Sequence, residues 1–249
     1  SAVTSFVGCT FKDNVAKLCG GAISLEEATV TCTDCTFTGN SAEQGNQSLA
    51  GEGQNSTAVT GNVAGGAIIL RKASSVLTLN NCTFTGNSAP NGCGGAIGTQ
   101  DASAKLTINA GTTFTDNTAY FHGGAIFAWS GFALNGGESS KVVFSGNKTL
   151  ATGNQHANGG AIWLNEKTTS TLSYVKFEGN EAGQKDGSTV NYSNGGAISM
   201  KGVTSFLADN CEFTGNLGRN GGCLNLELGS GSVKFTSCNF HDNYLESGT

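Results

Sequence analysis

Two short motifs alternate along the whole chain and leave few ways to fold it. F-x-x-N occurs eight times, at Phe11/Asn14, Phe37/Asn40, Phe84/Asn87, Phe114/Asn117, Phe144/Asn147, Phe177/Asn180, Phe213/Asn216 and Phe240/Asn243. G-G-A-I occurs six times, starting at Gly20, Gly65, Gly94, Gly123, Gly159 and Gly195, and a seventh copy reads Gly221-Gly222-Cys223-Leu224. Self-similarity at a fixed short period marks a stacked-repeat fold. Each G-G lies 17 to 21 residues before the next Phe, whereas each Asn lies 5 to 25 residues before the next G-G. A constant arc and a variable arc describe a coil with one corner that accepts insertions.

The arc alternates with period two. Ile23 and Leu25, Ile68 and Leu70, Ile162 and Leu164, and Ile198 and Met200 follow G-G-A. Cys35 and Phe37, Cys82 and Phe84, and Cys211 and Phe213 stand two apart, as do Leu77/Leu79, Leu106/Ile108 and Val233/Phe235. Each pair shares one face of a strand. The chain therefore reads as all-β: one right-handed parallel β-helix over residues 1–249, of about eight turns with three short strands per turn. Stacked Phe and Ile fill the interior. Each corner Asn, from Asn40 through Asn87, Asn117, Asn147 and Asn180 to Asn216, is expected to serve the structure by bonding the Asn above and below. Gly-Gly permits a bend that a Cβ would block. Opposite charges fall on neighbouring turns at Glu26/Arg71 and Lys201/Glu227, as cross-strand pairing favours.

The position two before each motif Phe holds Cys9, Cys35, Cys82, Cys211 and Cys238. These read as an inward ladder of thiols, with disulfides between turns as the alternative. Nine cysteines point to an oxidising compartment. Cys32 and Cys35 form a C-x-x-C without a second ligand pair, so no metal is expected.

The alternating G-G-A-I and F-x-x-N motifs, from Cys9 to Asn243, resemble the repeat of the chlamydial polymorphic outer membrane proteins. The resemblance implies a right-handed β-helix in the passenger of an autotransporter, exported to the cell surface and acting as an adhesin. In that family the two motifs are themselves linked to adhesion. The motif positions here are those given above. No C-terminal membrane barrel stands in the sequence, and related repeats occur in surface proteins of other microbes.

Composition agrees with an extracellular setting. Lys and Arg total 13 against 18 acids, with no basic stripe, which excludes a nucleic-acid partner. No apolar run is long enough to span a membrane as a helix, and no leader is visible. The chain starts and stops inside repeats, as a mature product or a fragment of a longer array would.

No catalytic constellation emerges, and no cofactor is expected. Asp13, Asp116 and Asp242 precede motif Asn residues in turns too far apart to cooperate. His122, His156 and His241 read as solvated corner residues. A polysaccharide lyase or hydrolase is the enzymatic alternative. An ice-binding face is another, because Thr36/Thr38, Thr83/Thr85 and Thr113/Thr115 repeat on consecutive turns. That array stops at Val143/Ser145, Lys176/Glu178 and Glu212/Thr214.

The residue after each G-G-A-I should point outward. That column reads Ser24, Ile69, Gly98, Phe127, Trp163, Ser199 and Asn225, with Trp129 beside it. Ile69, Phe127, Trp129 and Trp163 are the candidate interface, since an exposed aromatic cluster marks a docking surface. Insertions 41–64, 148–158 and 181–194 share one corner and offer binding loops. Candidate glycosylation sequons stand at Asn46, Asn55, Asn81, Asn147 and Asn191, although a glycan on Asn147 would compete with its corner role. The expected function is a non-enzymatic extracellular or cell-surface protein, an adhesin or the subunit of an assembly. Its partners would be other protein chains, through self-assembly or a cell-surface receptor, with glycans as further candidates.

Overall fold

The computed structural model describes residues 2–44, 62–151, 156–165, 167–183 and 192–245. Its strands coil as a right-handed parallel β-helix. Every ladder between its strands is parallel, and neighbours in each ladder come from successive turns. Sheet A (Ala28–Thr33 in the second turn), sheet B (Thr36–Thr38) and sheet D (Ile68–Leu70) carry the three main strands of a turn. Sheet C is a ladder of two-residue strands, such as Ser41–Ala42, just past the motif Asn. Among the described residues, sheets A, B and C each stack eight strands, and sheet D stacks seven.

The motifs set the register. Phe11, Phe37, Phe84 and Phe114 are direct rung partners in sheet B, as are Ile23, Ile68, Ile97 and Ile126 in sheet D. The eight motif rings stack face to face at 4.6 to 5.0 Å, a spacing imposed by the strands themselves. Facing them inside the coil are Leu77, Leu79, Leu106, Ile108 and Leu134 of sheet A and the Ile ladder of sheet D, all buried except Ile23 at the end of that ladder. This interior is apolar and buried, so it is the main source of hydrophobic stabilisation.

Where sheet B turns into sheet C, the motif Asn residues form a continuous amide ladder. Asn40 Nδ2 donates to Asn87 Oδ1, Asn87 Nδ2 to Asn117 Oδ1, Asn117 Nδ2 to Asn147 Oδ1, Asn147 Nδ2 to Asn180 Oδ1 and Asn180 Nδ2 to Asn216 Oδ1, each at 2.9 Å. Asn216 Nδ2 carries the ladder on to Asn243 Oδ1 at 2.8 Å. Each amide also donates to the carbonyl of a motif Phe one turn back, as Asn40 does to Phe11 O at 3.0 Å, Asn117 to Phe84 O at 3.1 Å and Asn216 to Phe177 O at 3.1 Å. The corner backbone, which has no strand partner there, is thereby satisfied by side chains. The residue before each motif Asn lies in left-handed geometry. Asp13, Asp116 and Asp242 have φ of 53°, and Gly39 and Gly86 occupy the same corner at 63° and 60°. Those aspartates serve as turn formers.

The cysteine column is a ladder of thiols. Cys35 Sγ donates to Phe6 O at 3.4 Å and Cys82 Sγ to Cys32 O at 3.4 Å. All nine cysteines are free, and burial pushes the Cys32 and Cys211 thiols up to about 12. Glu26 and Arg71 form the ion pair expected from the register, and Lys201 and Glu227 are rung neighbours in sheet D.

Candidate functional site

From Ile69 to Ser199 the outward column of sheet D is not on the surface. Ile69 and Phe127 are fully buried, Trp163 is 2% exposed and Trp129 is half-buried. The expectation of an exposed aromatic docking patch is therefore corrected, and the G-G step supplies the reason. The first glycine of each pair has φ between 58° and 76°, which folds the incoming chain back across the outer face of the strand that follows. The residues that arrive there, Val63, Cys93 and His122 with Phe121 near them, close over Ile69, Phe127 and Trp163 as a second small core. Between its two end strands, from Ile68–Leu70 through to Ile198–Met200, sheet D is thus buried on both faces.

This second core is aromatic. Phe127 and Trp163 stack at 4.7 Å and 9°, with Trp129 at 6.0 Å from Phe127. His122 stacks on Trp163 at 5.4 Å. It is 1% exposed, not a solvated corner residue, and neither ring nitrogen meets a hydrogen-bonding group among the described residues. Desolvation, then the charges of His156 and Lys201, lowers its pKa to about 3. The imidazole is neutral in the folded protein and protonates freely once unfolded, near its usual value of about 6.5. Its contribution to stability is therefore complete above that value and declines as pH falls toward 3. At about 1.4 kcal/mol per pH unit, lowering the pH from neutrality to 5 should cost about 2 kcal/mol through His122 alone. Calorimetric melting of the parent and of His122→Leu at the two pH values checks this, since the variant should lose much less. His156 is lowered in the same direction and remains in both proteins.

In turns two to seven the motif Phe and Asn residues are placed where no partner can touch them. Asn40, Asn87, Asn117, Asn147, Asn180 and Asn216 are fully buried, as are Phe37, Phe84, Phe114, Phe144, Phe177 and Phe213. Asn40 and Asn216 spend their amides on the ladder and on Phe carbonyls, which is the structural role expected of the motif Asn.

The remaining expected sites separate clearly. Because Asn147 is buried inside the amide ladder, its sequon cannot carry a glycan in this fold. Asn81 is exposed, with its amide donating to Asp34 Oδ1 at 2.7 Å. Asn46, Asn55 and Asn191 lie outside the described residues, as do 45–61, 152–155 and 184–191 of the insertion corner. Thr36, Thr83 and Thr113 are rung partners, and so are Thr38, Thr85 and Thr115. The threonine face is real in register and ends at Val143 and Ser145.

Past that point sheet B becomes charged. Lys141 pairs with Glu212 at 3.1 Å and Lys176 with Glu178 at 3.0 Å, and His241 lies 3.7 Å from Glu212 and 3.0 Å from Asp242. The Lys141 hydrogen bond holds the Glu212 carboxyl below the usual range, while Asp242 raises the exposed His241. Beside this face, where sheet A turns into sheet B, lies an open groove of about 290 Å³. Its lining includes Glu138, Lys141, Tyr174, Asn210, Glu212 and Ser237. One wall is a tight hairpin closed by two hydrogen bonds between Gly137 and Ser140, which puts Glu138 at its tip. Sequence reasoning missed this groove. The available signal was the longest G-G-to-Phe arc, the 21 residues from Gly123 to Phe144, which contains the hairpin. Among the described residues no group of three or more His, Cys, Asp or Glu is placed to hold a metal ion.

Comparison with known proteins follows this geometry. A family model described as the Chlamydia polymorphic membrane protein repeat matches residues 8–26, 81–100, 111–128 and 141–165, each containing a motif of the ladders above. The chain is 34% identical over 202 residues to a protein of Chlamydia pneumoniae named as probable outer membrane protein pmp6. The match covers 77% of this chain but only 14% of that relative. No solved structure matches.

Proposed function

The chain carries the repeat of the Chlamydia polymorphic membrane protein family and is a cell-surface protein, and from this premise we propose that it is a non-enzymatic adhesive array. The observation that carries the reading is the direction in which the side chains face. Phe114, Asn117, Gly124 and Ile126, like their equivalents in the inner turns, are buried in the coil or in its corners. What the rod presents sideways is a regular set of Thr, Ser and Asn ladders on sheets A and B, followed by the charged face and the groove. A rigid scaffold with polar, hydroxyl-rich sides suits contact with a partner on another cell, and the aromatic cluster inside sheet D stiffens it rather than docking anything.

Beads coated with the folded chain should attach to cultured animal cells well above beads coated with an inert protein, and soluble chain should compete. Attachment equal to the inert control, or unchanged after heat denaturation of the coat, would sink the adhesive reading.

A further inference from the structure

We propose that the groove between sheets A and B in turns five to eight binds one ring of a neutral saccharide. This inference rests on the adhesive reading and names a ligand class for it. Three observations support it. The first is the side-chain set. Tyr174 supplies an aromatic ring, Asn210 an amide, Ser237 a hydroxyl and Glu138 a carboxylate, all lining one open depression of about 290 Å³. A sugar ring offers an apolar C–H face to an aromatic ring and a rim of hydroxyls to amide and carboxylate groups. Aromatic walls with a few convergent polar groups are the usual make-up of a small-molecule site.

The second is the strained position of Tyr174. It has φ of 49° in a corner column where Gly8, Asp34, Asn81, Asn210 and Ser237 lie at 49° to 61° and Gly111 at 79°. A bulky aromatic residue in left-handed geometry is a rare choice where small or turn-forming residues serve. The third is the hairpin. Of the other corners of this column, that between Asn109 and Thr113 adds one short turn and the rest run directly from sheet A to sheet B, whereas the Asn135–Val142 passage makes the hairpin that raises Glu138 beside the groove. The charges select within the sugars. Lys141 is occupied by Glu212, so Glu138 leaves the groove with a net negative character. Sulfated or sialylated rings should be repelled, and neutral hexoses or N-acetylhexosamines accepted.

The test is ligand-observed NMR and calorimetric titration of the intact chain with lactose, maltose, N,N'-diacetylchitobiose and a heparin disaccharide. At least one neutral disaccharide should bind with a Kd of about a millimolar, as one or two rings allow, and the heparin disaccharide should not bind. Tyr174→Gly removes the ring at a position whose backbone suits glycine. It should fold with an unchanged or higher Tm and lose affinity at least about tenfold. Glu138→Gln should weaken neutral binding less and relieve the exclusion of heparin. Binding by none of the neutral sugars, equal affinity in Tyr174→Gly, or tighter binding of heparin would each overturn the proposal. Beads coated with Tyr174→Gly separate this inference from the adhesive reading. Full attachment together with lost sugar binding leaves adhesion standing on another face. Sugar binding by a chain whose beads do not attach overturns adhesion and keeps the groove.

Discussion

Gly124→Ala should abolish the fold of the central turns. A Cβ on Gly124 would overlap Gly160 O of the next turn and the backbone of Lys148 at the sheet C corner. Both obstacles are backbone held in ladders, so neither can swing aside as a side chain would. Overpacking of this kind against main chain should cost on the order of 4 kcal/mol or more, at the extreme of single-residue effects. The second glycine of the other pairs meets the same obstacle: Gly66 faces Gly95 O and Gly95 faces Gly124 O. The control is Gly86→Asp. Gly86 has φ of 60° with open space within 4 Å of where a Cβ would stand, and Asp116 already occupies the equivalent corner at 53°. That substitution should change stability by about 1 kcal/mol at most. Circular dichroism and urea unfolding of the two variants check both outcomes, and a well-folded Gly124→Ala would show that adjacent turns are not in contact at G-G.

Asn117→Ala should be the most damaging change that creates no clash. Asn117 Oδ1 accepts from Asn87 N at 3.0 Å and Asn87 Nδ2 at 2.9 Å, while its amide donates to Phe84 O at 3.1 Å and Asn147 Oδ1 at 2.9 Å. Truncation strips these partners from groups that have no access to water. Each buried donor or acceptor left unpaired costs about 1–3 kcal/mol, so a loss of about 3–6 kcal/mol follows. The ladder also predicts a gradient. Among the described residues Asn243 has one neighbouring rung, Asn216, and is partly exposed, so Asn243→Ala should cost less than half as much in this chain. Equilibrium unfolding in urea measures the difference. Equal costs at the two positions would mean that the amides act singly rather than as a ladder.

The sequence carried most of the coil because its period is written in residues that must repeat. Phe and Ile every turn, Gly-Gly at a contact that excludes a Cβ, and Asn at an otherwise unpaired corner each have one physical solution, and Glu26 and Arg71 fell on the same rung as the register requires. The error at Phe127 and Trp163 has an equally physical source. Alternation divides a strand into inner and outer faces, but it does not say whether another stretch of chain covers the outer one. The covering stretch was partly visible in the residue before each G-G, although Val63 rather than Ala64 covers Ile69, and His122 of the preceding turn stacks on Trp163. That position reads Cys19, Ala64, Cys93, His122, Asn158, Asn194 and Asn220. It is apolar or aromatic over the turns containing Ile69 and Phe127, and turns to Asn near Ser199 and Asn225. In those later turns the corner becomes a second amide ladder, with Asn194 Nδ2 donating to Asn158 Oδ1 and Asn220 Nδ2 to Asn194 Oδ1, each at 2.8 Å. The groove was harder to read because Tyr174, Asn210 and Ser237 are unlike residues. They share only a left-handed corner position, which their identities do not reveal.

The central claim is that the repeated motifs build the rod and that recognition happens on its sides. The direct measurement is bead attachment per folded molecule for Phe84→Leu and Phe114→Leu, substitutions that keep the motif position apolar within the stacked core. Both should melt earlier than the parent, by a few kcal/mol of lost packing at most, yet attach equally once folded. A variant that stays folded at the assay temperature but loses attachment would contradict the account, because Phe84 and Phe114 are fully buried and have no surface with which to touch a partner.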